Sequence, residues 1–382
     1  MALKVFIVAG EPSGDKLGGA LMSGLKAERP DVAFDGIGGP QMMAQGLNSR
    51  FDMSELSVMG IAEILPKYRH LKRRIAQTAD AVVEAAPDVL ITIDSPDFCL
   101  RVARRVKETS AVRCVHYVAP TVWAWRAGRA ARMARWIDQV LALLPFEPPY
   151  MQAAGMDCDF VGHPVVAEPV ASDVQAQKFR AGQGIGDAPV LMVLPGSRRS
   201  EVARLAPVFG TAVSNIVAAH PSLRIVVPAA APIADMVREA TQGWAGAPVI
   251  IDPAVDAGGE VKRAAFRAAD VALAASGTVS LELAASGTPM VIAYDMNWLS
   301  RVIIARMLKV DTVTLVNLVS QTRVVPEFIG RHCVPDEIAA GVAQVMAAPQ
   351  AQNDAMALTM TRLGQGGEAP GLRAAKAVLA RL

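Results

Sequence analysis

Short apolar runs and amphipathic stretches alternate along most of this chain. Lys4–Gly10 is apolar and brief enough for a strand covered on both faces, and Leu17, Leu21 and Leu25 follow at helical spacing. Val32–Ile37, Pro87–Ile93, Val112–Val118, Gln139–Leu144 and Cys158–Val161 read as further strands. Positions 61, 64, 65, 68, 71 and 75 are apolar at helical spacing, with Pro66 starting or kinking that helix, and Cys99–Lys107 reads as another helix. Val165–Gly186 breaks the rhythm with small, polar, weakly patterned residues, as an interdomain linker does. Strands then recur at 190–194, Leu223–Val227, Pro248–Ile251, Val271–Ala274 and Met290–Tyr294. Helices are expected from about 200, from about 232, over 260–269 and over Val279–Ser286. A last helix, about 353–382, is expected to pack back across the first domain. Strands alternating with helices in this way predict an α/β chain with two doubly wound parallel sheets.

Composition sharpens the picture in three places. At 382 residues the chain suits two domains, and 52% hydrophobic against 19% charged residues fills two cores and brings lipid contact into consideration. The formal net charge is only +2, so no global field grips nucleic acid. Cys99, Cys114, Cys158 and Cys333 form no C-x-x-C pair, which argues against a zinc site or a disulfide framework and fits a reducing compartment. The run Val5–Ala9 is too short for a signal h-region, and no stretch approaches 18 uninterrupted apolar residues, so a cytoplasmic protein is expected.

Candidate chemistry sits at the turns. After the strand at 190–194 comes Pro195-Gly196-Ser197-Arg198-Arg199-Ser200. Gly196 permits a sharp turn, Ser197 and Ser200 are candidate helix caps, and Arg198 offers a fork for phosphate oxygens beside the positive end of a helix. An ordinary strand–helix turn with a surface arginine has the same signature. Ser276-Gly277-Thr278 repeats the arrangement, and Glu282 one turn later either accepts from ribose hydroxyls or compensates the helix dipole. In the first half, Glu11–Asp15 is a βα turn without G-x-G-x-x-G, with Ser13 as its candidate cap. Asp94 and Asp97 lie just past a strand end, where Asp94 suits a general base and Asp97 a helix cap. Two carboxylates without further ligands make a poor metal site. Trp123 and Trp125 stand beside Arg126, with Arg129, Arg132 and Arg135 as a basic stripe; the tryptophans stack a base, grip an acyl chain or seal the sheet edge. His163, alone before a proline, reads as structural. The segment Met59–Ile75, with Lys67, Arg69, Lys72, Arg73 and Arg74, suits either an anionic membrane surface or a helix docked on its own core.

Five stretches together resemble the lipid-A-disaccharide synthase family. They are Ala9-Gly10-Glu11-Pro12-Ser13-Gly14-Asp15, Ile93-Asp94-Ser95-Pro96-Asp97-Phe98, Pro120-Thr121-Val122-Trp123-Ala124-Trp125-Arg126, Leu194-Pro195-Gly196-Ser197-Arg198 and Ala275-Ser276-Gly277-Thr278. The resemblance implies a GT-B architecture, two Rossmann-like βα domains facing each other across a cleft. Residues 1–165 would form the acceptor-side and membrane-docking domain, 187–350 the UDP-sugar-binding domain, and 351–382 the returning helix. It implies an inverting transferase that joins UDP-2,3-diacylglucosamine to 2,3-diacylglucosamine 1-phosphate (lipid X) in a β(1→6) disaccharide and releases UDP. No cofactor and no metal are implied. Asp94 would be the base. Gly196, Ser197, Arg198, Ser276, Gly277, Thr278, Glu282 and Asn317 would hold the nucleotide, and Ser13, Asp15 and Asp97 would lie on the acceptor side. Because both substrates are lipids, Met59, Ile61, Ile64, Leu65, Tyr68 and Leu71 become the expected docking surface on the cytoplasmic face of the inner membrane. A homodimer is compatible with the resemblance, and no nucleic-acid partner is expected. The rival readings are a GT-B enzyme acting on a soluble UDP-sugar, such as an epimerase, and a non-catalytic nucleotide-sugar binding protein. A dinucleotide oxidoreductase is poorly supported without the glycine fingerprint.

Overall fold

The computed structural model describes residues 2–56, 61–125, 128–256, 258–296 and 310–382, with residues 61–67 described by their backbone alone. The chain divides into two compact units, Met1–Ala167 with Leu363–Leu382, and Glu168–Arg362.

The first unit contains β1 (Lys4–Ala9), α1 (Pro12–Glu28), β2 (Ala33–Ile37), α2 (Pro40–Ala44), α3 (Ile61–Ala85), β3 (Val89–Ile93) and α4 (Pro96–Thr109). It continues with β4 (Arg113–Tyr117), α5 (Gly128–Met133), β5 (Gln139–Ala142), α6 (Pro148–Gln152) and β6 (Asp157–Phe160). Every strand pairs in parallel, in the order β2-β1-β3-β4-β5-β6. Parallel strands need crossovers, and the helices of those crossovers cover the sheet, which is why β1 and β3 read as continuous apolar runs and are buried throughout their inner residues.

α3 shows how the basic segment is used. Ile75, Ala79 and Val82 are buried in the core and Leu71 is half-buried against it. Pro66 lies inside this helix rather than opening it, where its missing N–H removes one i→i−4 hydrogen bond. Arg74 turns onto Glu55 through Nε at 2.8 Å and Nη2 at 2.6 Å, and His70 Nε2 meets the same carboxylate at 2.6 Å. Arg69, Lys72 and Arg73 stay exposed beside Tyr68, which is 45% exposed. Met59 lies outside the described residues, as do the side chains of Ile61, Ile64 and Leu65.

The second unit contains α7 (Asp173–Gly182), β7 (Val190–Leu194), α8 (Arg199–Ala219), β8 (Arg224–Pro228), α9 (Ala234–Ala240), β9 (Val249–Ile251), α10 (Glu260–Ala268), β10 (Val271–Ala274) and α11 (Val279–Ser286). β11 (Met290–Tyr294), α12 (Leu315–Ser320), β12 (Glu327–Ile329), α13 (Pro335–Ala347) and α14 (Gln350–Arg362) complete it. Its sheet is also parallel, in the order β12-β11-β10-β7-β8-β9. By length and composition α8 would cross a bilayer. It serves instead as a core helix, with Val202, Leu205, Phe209, Val213 and Ile216 buried.

Two stretches differ from expectation. The weakly patterned linker contains α7, whose start is fixed by a capping box between Ser172 and Gln175 and which buries only Ala176 and Phe179. So few buried positions leave no legible period. The expected final helix is two, α14 and α15 (Pro370–Leu379). Gly364 and Gly366 break it with φ of +104° and +78°. α15 returns to the first unit and crosses α1 in backbone contact. A Cβ on Gly24 would lie 2.6 Å from the Gly371 carbonyl oxygen, so the crossing admits no side chain there. Gln139 Nε2 donates to the Ala377 carbonyl at 2.9 Å, and Arg381 reaches Asp157 and Asp159 at 3.1 and 3.0 Å.

The loops at the β4 and β5 ends are closed by Trp123 and Glu147. Trp123 is buried, meets Phe146 edge-on at 5.2 Å and donates Nε1–H to Glu147 Oε1 at 3.3 Å. It is therefore packed into the loops beyond β4 and β5, with its ring and N–H engaged within the protein. Trp125 donates to Thr121 Oγ1 at 3.0 Å, and Arg126 lies outside the described residues. Glu147 Oε2 accepts from the Leu143 and Leu144 amides at 3.1 and 2.9 Å. Burial nonetheless pushes its pKa up from 4.5 to about 7, with those hydrogen bonds opposing only in part. Between these two values the native state holds a proton that the unfolded chain releases, so stability falls as pH rises from 4.5 to about 7. Urea unfolding across that window is expected to show the decline, on the order of 3 kcal/mol in full. Glu147→Gln, which cannot ionise, is expected to flatten it; an unchanged slope would remove Glu147 as its source.

Candidate functional site

The order of the second sheet reverses at β7, because β8 and β9 extend to one side and β10, β11 and β12 to the other. Crossover helices leave the sheet in opposite directions at such a point, and a crevice opens at the carboxyl ends of the strands. A cavity of about 390 Å³ lies there. The β7–α8 turn contributes Gly196, Ser197, Arg198 and Glu201, and the β10–α11 turn contributes Ser276, Gly277, Thr278 and Glu282. Lys262 reaches the same cavity from α10. Seven of the eight residues expected to hold a nucleotide therefore share one cavity.

The chemistry of its wall is that of an anion site. Two helices, α8 and α11, begin at it, and each presents the positive end of its dipole. The side chain of Arg198 is 61% exposed. Lys262 Nζ lies 2.8 Å from Glu282 Oε2, so that carboxylate is held in place while keeping acceptor capacity. The helix start is not capped by serine as expected. Ser197 and Arg198 precede α8, and it is Glu201 that accepts: Oε2 from the Ser197 amide at 2.9 Å and the Arg198 amide at 3.3 Å, Oε1 from Arg198 Nη1 at 3.1 Å. A carboxylate on two backbone N–H groups and a guanidinium occupies the position that a phosphate oxygen favours. Gly196, at φ +124°, makes this geometry possible.

Asn317 is the exception. It is 1% exposed on α12, donates Nδ2–H to the Val325 carbonyl at 2.9 Å and accepts from the Val325 amide at 3.0 Å. Its amide pairs with one backbone segment and does not line the cavity, because a buried Asn must satisfy both ends of its amide.

In the first unit the order reverses between β1 and β3. Asp94 follows β3 at this point, half-buried, with φ +50°, and Ser95 follows at +41°. Two successive non-glycine residues in the left-handed region are strained, and such strain gathers at functional sites. The Asp94 amide donates to the Tyr117 carbonyl at 3.0 Å, which fixes the bend. Ser95 Oγ is buried against Gly10 with no hydrogen-bond partner among the described residues. Glu11 is close enough, with Asp94, to act electrostatically on the buried Cys99 thiol, whose pKa burial raises.

The other first-unit candidates fall elsewhere. Asp15 is 3% exposed and its carboxylate accepts from the amides of Gly39, Gln41 and Met42 at 2.8, 2.9 and 3.0 Å. It holds the start of α2, so its oxygens are engaged within its own unit. Ser13 is exposed inside α1 and does not cap it; Glu11 occupies that position and Pro12 opens the helix. Asp97 is exposed in the first turn of α4, where Ser95 holds the cap position. His163 Nδ1 accepts from the Val165 amide at 3.2 Å, a local turn contact. Lys262, Glu201 and Glu11 were not singled out from sequence. Lys262 had no signal, since a single lysine on a predicted helix is ordinary. Glu201 carried one: a carboxylate three residues after a helix cap.

The description of the lipid-A-disaccharide synthetase family matches residues 5–378. A lipid-A-disaccharide synthase of Ruegeria pomeroyi is 64% identical over 100% of this chain and 96% of its own length. One from Rhodospirillum centenum is 47% identical over 99% and 94%. Among solved structures, the UDP-GlcNAc 2-epimerase of Neisseria meningitidis bound to UDP-GlcNAc is similar in fold, with a TM-score of 0.62 at 13% identity over 99% of each chain.

Gly196→Ala tests the turn. The new Cβ would lie 2.5 Å from Glu201 Cβ, on a backbone angle that L-residues avoid. The expected cost is about 1–3 kcal/mol in thermal or urea unfolding, together with lost binding of inorganic pyrophosphate by calorimetry. Wild-type stability and binding would show that the turn tolerates a side chain.

Proposed function

The chain belongs to the lipid-A-disaccharide synthetase family, and on that premise we propose how its residues divide the reaction. The enzyme is a hexosyltransferase of GT-B type that joins UDP-2,3-diacylglucosamine to 2,3-diacylglucosamine 1-phosphate, forming the lipid A disaccharide with release of UDP. The second unit holds the nucleotide and the first supplies the base. The cavity at the β7 switch point is the observation that carries this reading: two helix starts, Arg198 and Lys262 meet there, beside a carboxylate suited to a ribose.

In the proposed step Asp94 accepts the proton of the acceptor 6-hydroxyl as that oxygen attacks C1 of the donor sugar. The C1–O bond to the diphosphate breaks, UDP departs with the electron pair, and the configuration at C1 inverts. The bend at Asp94 fixes the direction in which its side chain leaves the backbone, which limits the reorganisation that accompanies proton transfer. Arg198, Lys262 and the N–H groups near Gly196 and Gly277 take up the charge that develops on the diphosphate. Glu201 must yield or share its amides when the phosphates arrive. Glu282, steadied by Lys262, accepts from the ribose hydroxyls.

Acyl chains on both substrates support a peripheral association with the cytoplasmic face of the inner membrane. Tyr68, with exposed Arg69, Lys72 and Arg73, supports a docking surface on α3; Leu71 has its place against the core. A homodimer is part of the same proposal, to be read from sedimentation.

Incubation with the two acylated sugars should yield free UDP and a disaccharide by mass spectrometry; absence of both would overturn the reading. Asp94→Ala is expected to slow turnover about 10²–10⁴-fold while UDP still binds. Near-normal turnover would remove Asp94 from the base role. Arg198→Ala is expected to weaken UDP binding about tenfold and to slow transfer as well.

A further inference from the structure

A second pocket, of about 420 Å³, lies wholly within the first unit, between α4 and the α5–Trp136 segment. Arg101 and Arg104 line it from α4, Arg129 and Arg132 from α5, and Asp97 is its one acidic residue. Arg104 pairs with Glu108 at 2.9 Å and lies 5.6 Å from the Trp136 ring. Arg101, Arg129 and Arg132 form no ion pair with any described residue. Four guanidinium groups around one hollow repel one another, and such an arrangement persists when an anion completes it. The planar fork of arginine matches phosphate oxygens in pairs.

Position selects the anion. The pocket begins at Pro96 and Asp97, two and three residues beyond Asp94, and runs along α4 to Arg104. Seven residues of helix from Asp97 to Arg104 span about 10 Å. In a hexose 1-phosphate the phosphate on C1 and the 6-hydroxyl carried by C5 flank the ring oxygen, separated by roughly one turn of helix. Asp97, at the end near Asp94, repels a phosphate there, while the arginines attract it further along α4. We propose that this pocket binds the 1-phosphate of the acceptor sugar and so orients its 6-hydroxyl toward Asp94. The inference rests on the transfer reaction and on the role of Asp94 given above.

The test compares Arg101→Gln/Arg132→Gln and Arg129→Gln with Arg105→Gln. Arg105 is exposed on the same helix and lies outside the pocket lining, so it controls for general charge. Circular dichroism and melting curves establish folding; the exposed pair, Arg101 and Arg132, provides the variant in which folding is least at risk. The pocket variants are expected to raise KM for 2,3-diacylglucosamine 1-phosphate about tenfold or more, with KM for the UDP-sugar unchanged. They are also expected to lose most of the preference for the phosphorylated acceptor over 2,3-diacylglucosamine. Calorimetric titration of wild type with glucosamine 1-phosphate, which has no acyl chains, should show saturable binding that the variants lack. If wild type performs no transfer yet binds glucosamine 1-phosphate through these arginines, the reaction reading fails and the phosphate site stands. If preference for the phosphorylated acceptor is intact in the variants while flotation with phosphatidylglycerol vesicles is lost, the arginines serve a lipid headgroup and the proposal is overturned. An equal effect from Arg105→Gln overturns it as well.

Discussion

Parallel pairing is the constraint from which the rest follows. A parallel strand cannot return by a hairpin, so each crossover brings a helix onto a sheet face. Where the order reverses, between β7 and β10 and again between β1 and β3, the helices part and strand ends are left uncovered. The 390 Å³ cavity and the strained turn at Asp94 lie at or beside such points. The interior of each sheet is mostly apolar, and an ionisable group buried there is kept uncharged. His116 illustrates the rule: buried in β4 against Thr92 Oγ1 at 2.8 Å, its pKa is lowered to about 4, so it stays neutral.

Strand and helix positions were legible because buried parallel strands are short apolar runs and their helices are amphipathic, as α4 is with Phe98, Val102 and Val106 inward. The turn at Gly196 was legible because glycine before a helix start has a narrow set of uses. What escaped was polar pairing at a distance. Asp15 and Asn317 have the same one-letter identities whether they face a ligand or satisfy backbone groups, and only the fold shows Asp15 on the α2 amides and Asn317 on Val325. The pocket arginines escaped for a related reason. Arg101 and Arg104 on one helix and Arg129 and Arg132 on another are unremarkable stripes until β3–β4 pairing places their helices side by side.

The position of Glu201 bears on how the nucleotide cavity works. In the absence of ligand an anion site formed by helix ends carries uncompensated partial charge. Glu201 neutralises it from within the same helix and keeps the Gly196 turn in its binding shape. On the proposed reading, a leaving diphosphate would compete with that carboxylate on the way out as well as on the way in. Residence of the product would then be limited by a group that is covalently tethered and always at hand.

The return of α15 to α1 has a consequence for biosynthesis. The first unit is assembled from two segments that enclose the whole of the second in the sequence. As the chain leaves the ribosome, β1 to β6 emerge early, yet the face of α1 around Gly24 stays uncovered until Pro370–Leu379 has been translated. The unit synthesised first is therefore the one finished last, and its apolar flank is exposed to chaperones for most of the time of synthesis.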